Sequence, residues 1–196
     1  MKKIWIVLGV VLGVVFLLAS SVMGAYNGLI KMDEGVNQAW AQVENVYQRR
    51  LDLIPNLVNT VKGYAEHEKS TFMEVTNARS RAAGSLSPDA INDPKKFAEL
   101  QESQGALSSA LGRLMVVMEN YPELKANENF LSLQAQLEGT ENRISVERGR
   151  YNEAAQAFNT QLRQFPTNVI GGIFGFHAKE YFKSQSEAKN APVVRF

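Results

Sequence analysis

The chain has 196 residues, with 21 lysines and arginines against 20 acidic residues for a formal net charge of +1, and no cysteine. The near balance of charge excludes bulk attraction to nucleic acid, and the absence of thiols excludes disulfides, thiolate catalysis, cysteine-ligated metals and a lipoprotein-type N-terminus. Packing alone must hold the fold, and about 168 residues beyond the apolar N-terminal segment are enough chain for one core.

Residues Ile4 to Ala25 carry no charged side chain, and Ile4 to Ala19 is apolar at every position except Gly9 and Gly13. At ~1.5 Å per residue, these 22 positions reach roughly 33 Å as a helix, enough to cross a hydrocarbon core of about 30 Å. Lys2, Lys3 and the α-amine precede the run, whereas Tyr26 to Trp40 holds only Lys31, beside Asp33 and Glu34. Basic flanks stay in the cytoplasm. The expectation is a single-pass signal-anchor in an inner or cell membrane, with the N-terminus cytoplasmic and everything from about residue 28 periplasmic or extracellular. A cleaved signal peptide is the alternative, because Ala19-Ser20-Ser21 and Val22-Met23-Gly24 offer small residues to a peptidase, but the run exceeds the ~7 to 15 residues of a signal core. Gly9-Val10-Val11-Leu12-Gly13 has GxxxG spacing, which makes Gly9 and Gly13 candidates for self-association of the anchor.

Beyond the anchor, Val36, Trp40, Val43 and Tyr47 mark a first amphipathic stretch, and Leu57, Val61, Tyr64 or Ala65, Phe72, Val75 and Ala82 a second. Arg49-Arg50-Leu51-Asp52-Leu53-Ile54-Pro55-Asn56 between them reads as a tight reversal. Arg49, Arg50, Asp52 and Asn56 then become caps at helix ends or, more sharply, a partner-docking site. One kinked helix through Pro55 over residues 29 to 84 is the alternative, but its length of about 84 Å argues against it. Residues Gly84 to Asp93 form a turn-rich linker.

Asp93 and Pro94 are a ready N-cap and first helical position for the third stretch. Phe97, Leu100, Gln104, Leu107, Leu111, Leu114, Met118 and Tyr121 follow alternating gaps of three and four, a coiled-coil seam. Gly105 and Gly112 beside that seam suggest close helix approach. The fourth stretch opens at Asn127 and carries Phe130, Leu133, Leu137, Ile144, Tyr151, Ala154 and Phe158, with Thr140 and Glu147 making the middle of its stripe polar, and ends near Phe165-Pro166. The predicted architecture is all-α: a cytoplasmic tip and transmembrane anchor over residues 1–28, an antiparallel up-down four-helix bundle over 29–166, and an apolar glycine/aromatic tail over 167–196.

That tail, with Ile173, Phe174 and Phe176 followed by Tyr181 and Phe182, is too short to span a bilayer and too apolar for an ordinary solvated end. Ile173, Phe174 and Phe176 are candidates for docking, on the membrane interface or on a neighbouring subunit; folding back over the base of the bundle is the alternative.

Chemical motifs are missing. His67-Glu68-Lys69-Ser70-Thr71 begins like a zinc-protease signature but has Thr71 where the second histidine must stand. Neither His67 nor His177 has the glutamate three residues earlier that di-iron bundles use. There is no phosphate loop and no nucleophile elbow. No catalytic residue, cofactor or metal is therefore assigned, and Glu141, Arg143 and Tyr151 are the least implausible constellation were the protein an enzyme.

The segments Arg49 to Val58, Val61-Lys62-Gly63-Tyr64-Ala65, His67-Glu68-Lys69, Ala78-Arg79-Ser80-Arg81-Ala82, Tyr121 to Phe130, Leu137 to Ile144, Arg150-Tyr151-Asn152-Glu153-Ala154 and Phe174-Gly175-Phe176 resemble the LemA family. The resemblance covers nearly the whole chain, anchor included. It implies a single-pass bacterial envelope protein with a helical bundle and without established catalytic residues. The expected function is a non-enzymatic scaffold or adaptor whose partners are the lipid bilayer, further copies of the chain and an envelope protein, with no nucleic acid. An accessory to a membrane protease or envelope quality-control system is the alternative.

Overall fold

A computed structural model of the chain describes residues 2–183, so residues 184–196 of the predicted tail lie outside the described residues. The architecture is all-α, with no strand among the described residues. Six helices follow in order: α1 (Lys2–Lys62), α2 (Lys69–Ser85), α3 (Pro94–Met118), α4 (Pro122–Lys125), α5 (Glu128–Arg163) and α6 (Thr167–Phe174), with a 3-10 turn at Pro88–Asn92 between α2 and α3.

The tight reversal expected at residues 49–56 does not occur. Helix α1 runs straight through Pro55 and ends at Lys62, and the chain turns at Gly63 to Glu68 instead. Proline has no N–H to give the carbonyl four residues earlier, and that lost bond normally breaks or kinks a helix. Here the orphaned carbonyl is that of Leu51, and Arg79 Nε of α2 donates to it at 2.8 Å. A side chain from a neighbouring helix thus supplies the donor that Pro55 lacks. The turn itself is closed by the N–H groups of Tyr64 and Ala65 donating to the Val61 carbonyl at 3.0 and 3.1 Å.

The chain divides into two compact units, and α1 and α5 contribute to both. One comprises Ala39–Asn152 together with the segment from Glu180. In it, Leu51, Ile54, Leu57 and Val61 of α1, Phe72, Val75 and Ala82 of α2, Leu107 and Leu114 of α3, and Phe130 and Leu137 of α5 share one core. Side-chain pairings set the directions: Tyr47 with Arg148 and Arg50 with Glu141 place α5 antiparallel to α1, and Glu74 with Arg113 and Glu68 with Tyr121 place α3 antiparallel to α2. These four helical segments therefore alternate up and down, as short connections require.

Local signals explain the elements. Asp93 Oδ1 accepts from the Lys95 N–H at 2.8 Å with Pro94 at the first position of α3, and Asn127 Oδ1 accepts from the Phe130 N–H at 3.0 Å at the start of α5. At the middle of the α3 seam, Ala110 is buried and Leu111, expected at its centre, is only partly so, while Leu114 and Met118 are buried at the expected positions. Gly112 is exposed with open space around it, so it serves no close helix approach.

The other unit comprises the residues up to Gln38 together with Glu153–Lys179. The apolar side chains from Ile4 to Leu18 are 47% (Leu8) to 72% (Trp5) exposed, and burial begins only at Leu29. An apolar helix exposed on every side has no protein partner for its surface, and this is the one helix among the described residues long and apolar enough to cross a membrane. Helix α6 packs Thr167, Ile170 and Gly171 inward and ends at Gly175, whose φ of +76° only glycine adopts freely. The Phe176 N–H then donates to the Gly171 carbonyl at 2.9 Å and the chain turns back. The returning strand of chain is fixed by Asn159, whose Oδ1 accepts from the Lys179 N–H and whose Nδ2 donates to the Lys179 carbonyl, both at 2.8 Å, while Lys179 Nζ pairs with Asp33 at 2.8 Å.

Candidate functional site

Three polar or aromatic assemblies stand out, two in one unit and one in the other. In the Ala39–Asn152 unit the centre is Arg50, 1% exposed and among the largest fully buried side chains. Its Nη1 donates to Glu141 Oε2 at 2.7 Å and to Ser108 Oγ at 3.0 Å, and its Nη2 donates to Gln104 Oε1. The guanidinium also lies 5.7 Å from the centre of the Tyr47 ring. Burial pulls the Arg50 guanidinium below its ordinary value and the Glu141 carboxylate opposes that pull. A guanidinium stays charged under such perturbation, so a cation sits at the meeting of α1, α3 and α5, held by three acceptors. Burial likewise raises the Tyr47 phenol, against the field of Arg148, whose Nε donates to the Tyr47 hydroxyl at 2.7 Å.

The other residues predicted beside Arg50 do not join it. Arg49 is exposed and donates through Nη2 to Gln136 Oε1 at 2.9 Å. Asp52 is exposed and accepts from Gln48 at 2.8 Å. Asn56 is also exposed, and its backbone carbonyl accepts from the Thr60 hydroxyl. None of the four caps a helix, because α1 does not end there. Of the side chains that complete the network, Gln104 sits on the α3 stripe, where a glutamine in an otherwise apolar seam was the available sequence signal, whereas Ser108 and Glu141 lie beside the α3 and α5 stripes. Arg79, which rescues the Leu51 carbonyl, had no such signal beyond its place in the family segment.

Nearby, Trp40, Phe97, Tyr151 and Phe182 form a ring cluster with centroids 4.9–6.2 Å apart. Asn152 clamps the Phe182 backbone, donating to its carbonyl at 3.0 Å and accepting from its N–H at 2.9 Å. Among the described residues the buried Tyr151 hydroxyl has no hydrogen-bond partner, and burial, with Glu180 and Tyr181 adding to it, pushes its phenol well above the ordinary value. Glu141, Arg143 and Tyr151 occupy three different environments: paired with Arg50, exposed, and enclosed among rings. An open groove of about 740 Å³ lined by Lys62, Glu66, Lys69, Phe72, Met73, Thr76 and Asn77 gathers no catalytic set. Among the described residues no group of three or more His, Asp or Glu side chains could hold a metal.

In the Glu153–Lys179 unit the rings gather at Tyr26. Phe174 lies 4.7 Å and Phe176 5.9 Å from the Tyr26 ring, and Phe176 also meets Phe158 at 6.2 Å. Phe176 is half-buried, whereas Ile173 and Phe174 are 73% and 52% exposed. A Cβ on Gly171 would collide with the Leu162 side-chain tip, which would have to shift, and would lie at an ordinary contact distance of 3.8 Å from Leu29 Cδ1. Gly9 and Gly13 have open space where a side chain would be.

The Magnetosome protein MamQ 2 of Paramagnetospirillum magneticum is 29% identical over 94% of this chain and 73% of the relative. The Magnetosome protein MamQ of Magnetospirillum gryphiswaldense is 26% identical over 86% of this chain and 68% of the relative. Protein LemA of Metamycoplasma hominis is 23% identical over 76% of this chain and 64% of the relative. The LemA family model matches residues 39–196, which takes in the Arg50 network, the aromatic cluster and α6. The chain belongs to the LemA family.

Proposed function

We propose that this LemA-family protein is a non-enzymatic scaffold or adaptor, anchored by the first part of α1 with its N-terminus cytoplasmic and its helical body periplasmic or extracellular. The observation that carries this reading is the contrast within one chain. An N-terminal helix exposes apolar side chains on every side, while the buried charged groups of the helical body, Arg50, Glu147 and Lys179, are engaged in structural pairs with Glu141, Arg150 and Asp33. A catalytic site needs convergent groups facing a reacting atom, and the buried Arg50 instead ties helices together. Two relatives are named for a magnetosome rather than for a reaction, which supports the same reading.

The partners in this proposal are the lipid bilayer, further copies of the chain and an envelope protein. Chemical crosslinking in native membranes, followed by mass spectrometry, tests it. Recovery of copies of the chain supports self-assembly, and one recurrent protease supports the accessory role. Catalytic turnover by the purified protein, lost on a single side-chain change, refutes the scaffold. Intact mass of the membrane form tests anchor retention, and a mature N-terminus between Val22 and Ala25 refutes it.

A further inference from the structure

We infer that the turn closed by α6, with Ile173 and Phe174 at its tip, is a second membrane contact that seats its apolar side in the headgroup region of the leaflet beside the exit of α1. The inference rests on α1 being a retained span. Its own support is the height and chemistry of the tip.

The height follows from contacts with α1. Tyr26 directly follows the bilayer-length segment from Ile4 to Ala25 and stands five residues before the first charge at Lys31, and its ring lies 4.7 Å from Phe174. Gly171 lies level with Leu29, where its Cβ would come within 3.8 Å of Leu29 Cδ1. Three residues forward along α6 thus match three residues back along α1, so α6 descends toward the end of the span. Gly175 reverses the chain at the bottom, and by Lys179 it has climbed to Asp33, about 10 Å above Tyr26 at the helical rise. The lowest point of this excursion is therefore Phe174–Gly175, at the level where an aromatic belt meets lipid headgroups.

The chemistry agrees. No charged side chain occurs between Arg163 and His177. Thr167, Ile170 and Gly171 face the protein, and Val169, Ile173 and Phe174 are 52%, 73% and 52% exposed. Such a two-sided helix binds with its apolar face about 5–10 Å into the interface. A bilayer surrounding α1 lies beside Phe174 whatever other copies do, and this continuity selects lipid as the occupant.

The chain has no cysteine, so single-cysteine variants of the full-length protein carry an environment-sensitive fluorophore at one place only. Ile173→Cys, Thr160→Cys and Phe16→Cys are compared in vesicles of phosphatidylcholine and phosphatidylglycerol carrying a nitroxide quencher at shallow or mid-chain depth. The expected result is a blue-shifted Ile173 label quenched by the shallow nitroxide, an exposed Thr160 label that neither nitroxide quenches, and a Phe16 label quenched at mid-chain. A Phe16 label quenched as expected beside an unquenched Ile173 label overturns the proposal, and crosslinking of Ile173→Cys between two chains would then assign the face to a second copy. A Phe16 label that mid-chain nitroxide leaves untouched overturns the anchor, and this contact with it.

Discussion

Replacing Arg50 with methionine keeps most of the buried stem and removes the guanidinium that Gln104, Ser108 and Glu141 share. Gln104 is 0% exposed, so its Oε1 is left as a buried acceptor without a donor, which costs about 1–3 kcal/mol. Glu141 is 53% exposed and returns to water, so its loss adds less than about 1 kcal/mol. Arg50→Met should therefore destabilise by about 1–4 kcal/mol in total. Gln104→Leu alone should cost about 2 kcal/mol, because the buried cation then loses an acceptor. Combining the two removes both halves of the problem. The Ala82 carbonyl, which Gln104 Nε2 also reaches, keeps the Ser85 hydroxyl at 3.1 Å. The double variant should recover to within about 1 kcal/mol of the parent or surpass it, since apolar packing often replaces a buried ionic network without loss. Urea unfolding of the full-length protein in mild detergent, followed by helix signal, reads this as midpoints at constant slope. Additive costs in the double variant, or a neutral Arg50→Met, would refute the view that these groups hold one another.

Arg79→Met should cost about 1.5–3 kcal/mol through the Leu51 carbonyl, and far less in a Pro55→Ala background, where residue 55 regains the N–H that bonds it; equal costs in both backgrounds would disprove the rescue. Leu107→Asp should abolish cooperative unfolding because Leu107 is 0% exposed, whereas Leu111→Asp, at a half-buried position, should melt at a temperature between that variant and the parent. Tyr151→Phe should stabilise by about 1 kcal/mol, since it removes a buried hydroxyl without a partner among the described residues. The Tyr47 and Tyr151 phenols are raised in the fold, so the stability tied to their neutral forms is complete below the unfolded phenol value near ~10 and is lost as pH rises toward the folded values. The urea midpoint should accordingly fall above about pH 10, and less steeply in Tyr151→Phe.

The amino-acid sequence by itself determined what depends on neighbours along the chain. A run without charge from Ile4 to Ala25 is bilayer-length in any context, Asp93-Pro94 and Asn127 cap helices through their own next few N–H groups, and apolar residues at helical spacing bury the stripes that contain Val36, Trp40, Phe97 and Phe158. Even the polar middle of α5 was legible, because Thr140 and Glu147 stand on an otherwise apolar stripe and both are buried. What only the tertiary structure decided depends on partners far along the chain. Pro55 reads locally as a stop, yet Arg79, 28 positions beyond Leu51, supplies the hydrogen bond to the Leu51 carbonyl that lets α1 continue. Arg50 reads as a cap, yet with no helix end nearby it becomes the buried cation on which Gln104 and Glu141 converge. Ile173 and Phe174 are apolar in either context, but only the contact of Phe174 with Tyr26 sets the height at which they face outward. Local periodicity fixes which side of a helix is buried, whereas a lone hydrogen bond or ring contact between distant residues leaves no period to read.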